Sequence, residues 1–119
     1  MAKEANLLIQ REMDVTIVDF QESRMLDAHH IELIGQQLFK LVDQMDRKKL
    51  VLDFTKVRHL SSSAIGMLLT LNSRSKAIKG TLVLCGVRPD VMKIFEIMKL
   101  NKLLKFAPNP NDAKAKLIE

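Results

Sequence analysis

The chain has 119 residues, 47% of them hydrophobic and 28% charged, with a formal net charge of +5. That size and balance fit one folded domain around one core and exclude a disordered chain. A single cysteine excludes an internal disulfide, no run approaches the roughly 20 apolar residues of a membrane helix, and five Phe with no Trp or Tyr offer few stacking platforms for single-stranded nucleic acid.

In chain order, Leu7 to Arg11 reads as a first strand, Glu12-Met13-Asp14 as a turn, and the β-branched run Val15 to Phe20 as a second strand paired antiparallel with the first. Asp27 can cap a helix that runs from about Ala28 to Met45, because Ile31, Ile34, Leu38, Leu41, Val42 and Met45 recur on one stripe. Leu50 to Phe54 is short and apolar, as a strand buried on both faces should be. The serines Ser61-Ser62-Ser63 then open a second helix, from about Ser63 to Ala77. Gly80 breaks the chain, and Thr81 to Cys85 is another buried strand. Pro89 suits the first turn of a third helix, with Val91, Ile94, Phe95 and Met98 on its apolar face. Leu103 to Phe106 fits a short edge strand ended by Pro108 and Pro110, and Asn111 can cap a last helical stretch from Asp112 to Leu117.

Strands alternating with helices from Leu50 onward imply a parallel sheet. The expected architecture is therefore α/β: a mixed β-sheet, with an N-terminal antiparallel hairpin followed by parallel strands, and helices packed against it. No repeat or linker divides it, so 1–119 forms one domain, with a core at about 7–106 and a helical tail at about 111–118.

The positive charge draws attention to nucleic acid or an acidic protein. The basic residues are dispersed, however, from Arg47-Lys48-Lys49 to Lys114 and Lys116, and the Phe residues fall inside apolar patterns, so nucleic acid is not an expected partner. Met1-Ala2-Lys3-Glu4 is followed by no apolar run long enough for a signal peptide. We expect a cytoplasmic protein that does not insert into a membrane. His29 and His30 are neighbours rather than an i, i+4 pair, His59 is alone, and Cys85 lies in a strand. Gly35, Gly66, Gly80 and Gly86 are too far apart for a phosphate loop. No catalytic residue, metal or cofactor is expected, and the chain is not read as an enzyme.

The serine triplet is the informative site. At a helix start, a serine hydroxyl accepts from the free N–H groups of the first turn, which is an ordinary cap. The same N–H groups and the helix dipole also suit an anion, so a phosphate there is tolerated or mildly favoured. Along the following helix Ser63, Met67, Thr70 and Arg74 fall on one stripe, while Ala64, Ile65, Leu68, Leu69 and Leu71 point to the core or its edge. Met67 is expected on the outer face beside Ser63, as an adaptable contact for a partner, and Ser62, Ser63, Met67, Thr70 and Arg74 make up the expected partner-binding surface.

Five segments carry a family resemblance: Met25-Leu26-Asp27-Ala28, Leu50-Val51-Leu52-Asp53-Phe54, Leu60-Ser61-Ser62-Ser63-Ala64-Ile65-Gly66, Gly80 through Val87, and Val91 through Leu104. In order and spacing they resemble the STAS domain family, and within it the stand-alone anti-sigma factor antagonists of bacteria. The resemblance implies a partner switch. The antagonist binds an anti-sigma factor that is also a serine kinase, is released when phosphorylated, and is reset by a PP2C-type phosphatase. The family's acceptor is the second serine of an Asp-Ser-Ser-Gly motif, which aligned through Gly66 is Ser63, with Ser62 as the alternative. Asp27 matches the family's acidic residue near the acceptor. Two positions depart from the motif: Ser61 stands for the Asp and Ala64 for the Gly. The alternative function is a STAS scaffold or transport-associated subunit that is not phosphorylated.

Overall fold

A computed structural model describes residues 7–118. The expectations placed on Met1 to Glu4, and the outermost ends of the 1–119 span, lie outside the described residues. The elements in order are β1 (Leu7–Glu12), β2 (Val15–Phe20), β3 (Arg24–Met25), α1 (Ala28–Asp43), β4 (Lys49–Asp53), β5 (His59–Leu60), α2 (Ser62–Ala77), β6 (Thr81–Cys85), α3 (Pro89–Ile97), β7 (Lys105–Ala107) and α4 (Pro110–Ile118).

The main sheet has the order β1-β2-β4-β6-β7. β1 and β2 are antiparallel, joined by a tight turn at Met13-Asp14, and every later pairing in this sheet is parallel. Side chains alternate across a strand, so each strand supplies both faces. One face carries Val18, Phe20, Leu50, Leu52, Leu82 and Leu84 under α1, α2 and α3. The other carries Val15, Ile17, Val51, Val83 and Cys85 against Ala113 and Leu117 of α4. Leu50, Val51 and Leu52 are all fully enclosed, as a strand covered on both faces requires.

Four expectations need correction. The first helix ends at Asp43 with Gln44 as its C-cap, and the chain then turns at Asp46, where φ is +53°; Met45 therefore leaves the apolar stripe and lies 48% exposed. The second helix starts one residue early, at Ser62, because Ser61 is its cap. The last helix is capped by Asn109 rather than Asn111: its side chain accepts from Asp112 N at 2.8 Å, and Pro110 takes the first helical position. The edge strand is also shifted, to Lys105–Ala107, since Leu100–Lys102 forms a 3-10 turn before it.

A second, two-stranded sheet has no counterpart in the sequence reading. β3 and β5 pair in parallel, with Arg24 opposite His59 and Met25 opposite Leu60. It joins the segment that enters α1 to the segment that enters α2.

Candidate functional site

The site is built where those two segments meet. Ser61 N donates to Met25 O at 3.0 Å, and Arg58 N and His59 N both donate to Ser23 O. These bonds hold the start of α2 beside the start of α1. At α1, the Asp27 carboxylate accepts from His30 N at 3.1 Å, the cap expected of it. At α2, the Ser61 hydroxyl accepts from Ala64 N at 3.2 Å, and Ser61 O accepts from Ile65 N. Ser61 thus does the capping that an Asp would do, without the charge.

Ser62 and Ser63 occupy the first turn of α2 and are exposed. They differ in what they face. Ser63 borders a groove of about 480 Å³ between α1 and α2, shared with Gly66, Met67 and Thr70 from its own helix and with Ala28, Glu32, Gly35 and Phe39 from α1. Ser62 is not part of that wall. Ala64 is completely buried in regular helix, so its methyl group faces the core and leaves the serines uncovered.

The expected outer stripe is only partly realised. Thr70 is exposed, and its hydroxyl donates to Gly66 O at 3.1 Å. Arg74 is exposed but engaged: it pairs with the Asp43 carboxylate of α1, and its guanidinium lies 4.3 Å from the centroid of the Phe39 ring. Met67 is a correction, since it is 8% exposed rather than displayed beside Ser63. Met67 shares the buried stripe of α2 with Ala64, Leu68 and Leu71, and α1 leaves room for it. Gly35 has no side chain there, and the Met67 thioether fills the gap.

The α1 wall of the groove, Gly35 and Phe39 above all, was not singled out from the sequence. A glycine within a strongly periodic helix was the available signal, because such a residue costs about 1 kcal/mol relative to Ala unless something packs against it. Elsewhere, Cys85 is fully enclosed, and burial pushes its thiol up from the ordinary 9.0 to about 12. It is a protonated core residue, not a nucleophile. Among the described residues no group of three His, Cys, Asp or Glu is placed to hold a metal ion. No helix of the described residues is long and apolar enough to cross a membrane.

Comparison with known proteins agrees with this architecture. Residues 6–113 match the STAS domain. The anti-sigma F factor antagonist of Paenibacillus polymyxa is 22% identical over 112 residues, covering 94% of this chain and 96% of that protein. BtrV of Bordetella bronchiseptica, provisionally named an anti-sigma factor antagonist, is 29% identical over 73 residues; the match covers 61% of this chain and 62% of BtrV. Among solved structures, an anti-sigma-factor antagonist (STAS) domain protein of Planctomyces limnophilus is similar with a TM-score of 0.84 at 20% identity, over 97% of this chain and 99% of that one. The phosphorylated form of the Bacillus cell fate determinant SpoIIAA has a TM-score of 0.72 at 18% identity, over 92% of this chain and 97% of that one. At these identities the structural likenesses establish the fold alone.

Proposed function

Because the chain belongs to the STAS domain family, we propose that it is an anti-sigma factor antagonist whose docking surface is the start of α2 together with the α1–α2 groove. The observation that carries this reading is the position of Ser63: exposed, on the first turn of a helix, and on the rim of a mostly apolar groove. The antagonist names of two relatives point to the same class of partner. The partner is an anti-sigma factor that is also a serine kinase, and a PP2C-type phosphatase resets the switch. This is a binding function, and no residue of the site is assigned a catalytic role.

The mechanism follows from charge at a helix start. Unmodified, Ser63 is small and neutral, and a partner can close over it. Phosphorylation places roughly −1.5 to −2 charge there. The helix dipole and free N–H groups of α2 favour that charge by about 0.3–2 kcal/mol, so the fold is not disturbed. Against a partner, the same charge would have to be desolvated without a matching cation, a cost of about 3–5 kcal/mol. Release comes from that difference. Ser62 is the alternative acceptor, but its absence from the groove wall favours Ser63.

Intact mass after incubation with the cognate kinase and ATP, followed by peptide mapping, tests the acceptor. Ser63→Asp should weaken partner binding by tenfold or more, with little change in melting temperature. A folded Ser63→Asp protein that binds as tightly as the wild type would falsify the mechanism. A second reading, a STAS scaffold without phosphorylation, draws on the neutral Ser61 where the family motif has Asp. No mass increase at any serine, with the partner still bound, would favour it.

A further inference from the structure

At the other end of α1 lies a cavity that the switch does not use. It has a volume of about 500 Å³ and sits between the β1–β2 hairpin, the C-terminal half of α1 and the loop that enters β4. Three cations line it, Arg11, Lys40 and Arg47, and no acidic residue does. Among the described residues, the nearby acids are committed elsewhere. Asp14 pairs with Lys49, Asp46 with Lys48, Glu12 with Lys114 and Asp43 with Arg74.

Two of the lining residues carry hydrogen-bonding groups that nothing satisfies. Thr16 is 2% exposed and its hydroxyl has no partner among the described residues. The Nε and Nη1 donors of Arg47 are likewise enclosed and unpartnered. Buried polar groups normally find partners, and leaving them unmet is costly. The remaining wall is mixed: Ile9, Leu41 and Met45 give it an apolar part, and Gln10 and Gln37 add neutral amides. The C-terminal dipole of α1 works against an anion here. It is partly offset because Arg47 N donates to Leu41 O, and Gln44 N and Met45 N to Lys40 O, so these end carbonyls are already satisfied.

We propose that this cavity binds a phosphate monoester carried on a small apolar body. Three cations match a dianion better than a carboxylate, and guanidinium and hydroxyl donors suit a tetrahedral oxyanion. Ile9, Leu41 and Met45 supply the contact for the apolar body, and the volume lies within the range of small-molecule sites. The ester comes either from a free metabolite or from a lipid headgroup, and the chemistry recognised is the same.

The test is a titration of the ¹⁵N-labelled full chain with phenyl phosphate, inorganic phosphate, phenylacetate and benzyl alcohol. Phenyl phosphate should shift the amides of Arg11, Thr16, Lys40 and Arg47 in a saturable way, with a Kd of about 1 mM or lower. Inorganic phosphate and phenylacetate should each bind at least about tenfold more weakly, because each lacks one half of the recognised group. Arg47→Gln, and Lys40→Gln as a second variant on the helix surface, should each raise the Kd by about tenfold. Thr16→Val should also weaken binding while melting no lower than the wild type, since it removes a hydroxyl without a partner. Displacement of phenyl phosphate by phosphatidic acid vesicles supports the headgroup source, and failure to displace it supports the soluble source. No shift by about 10 mM, shifts confined to other surfaces, phenylacetate binding as tightly as phenyl phosphate, or wild-type affinity in both charge variants overturns the proposal.

Discussion

Met67 of α2 rests in the gap that Gly35 leaves in α1: a Cβ built on that glycine would come within 3.1 Å of Met67 Cγ. The floor of the α1–α2 groove is therefore a packed contact between helices rather than an exposed side chain. Met67→Ala should cost about 2–3 kcal/mol in a denaturant melt, as truncation of a buried Met does. A loss under about 0.5 kcal/mol is the value for an exposed Met and would refute the buried placement.

Two helical glycines border the groove and should respond oppositely to Ala. Nothing lies within 4 Å of a Cβ at Gly66, so Gly66→Ala should gain about 0.5–1 kcal/mol through helix propensity. At Gly35 the same gain is set against crowding of Met67, so Gly35→Ala should show no gain and lose up to about 1 kcal/mol. Thermal melts of the two proteins decide it. Because Gly66 is exposed in the groove, Gly66→Ala should also reduce partner affinity while making the domain more stable.

Ser61 should behave differently from its two neighbours. Its hydroxyl accepts from Ala64 N, so Ser61→Ala should cost about 1 kcal/mol. Ser61→Asp keeps the cap and adds a negative charge at the positive end of α2, so it should match or exceed wild-type stability by about 0.3–1 kcal/mol. Ser62→Ala and Ser63→Ala should stay within about 0.5 kcal/mol of wild type. Equal losses at all three positions would mean that the cap is misassigned.

Cys85 gives a pH dependence with a definite sign. Burial first, then the carboxylates of Asp53 and Asp19, push its thiol up from 9.0 to about 12. The unfolded chain releases this proton near 9 and the folded chain holds it until about 12, so the unfolded state binds fewer protons in between. Stability should fall as pH rises through that window, by about 1.4 kcal/mol per unit at most. Cys85→Ala should lower stability at neutral pH and flatten the alkaline limb. An identical alkaline slope in both proteins would show that Cys85 does not drive it.

Where the chain signals its structure locally, the sequence is readable. Ile31, Ile34, Leu38, Leu41 and Val42 recur at helical spacing and are all buried. Asp27 looks like a cap and is one. Asn109 was also readable, since proline favours the first helical position and the cap should precede Pro110. β3 and β5 were not readable, because strands of two residues have no period. Met67 was not either. On its own helix it lies between Ser63 at i−4 and the buried Ala64 at i−3 and Leu71 at i+4, so it borders both faces, and the space at Gly35 on the other helix lets it pack inward. The serine half of the site lies in one short motif, whereas its α1 half depends on a contact distant in sequence.

The small β3–β5 pair has a mechanical consequence. With Ser61 bonded to Met25, the caps of α1 and α2 belong to one braced corner, and moving either helix start alone would break these backbone bonds. Under the proposed switch, a phosphate at Ser63 would sit next to this corner rather than on a free loop. It would then act by repelling a docked protein at the surface rather than by reshaping the helix start.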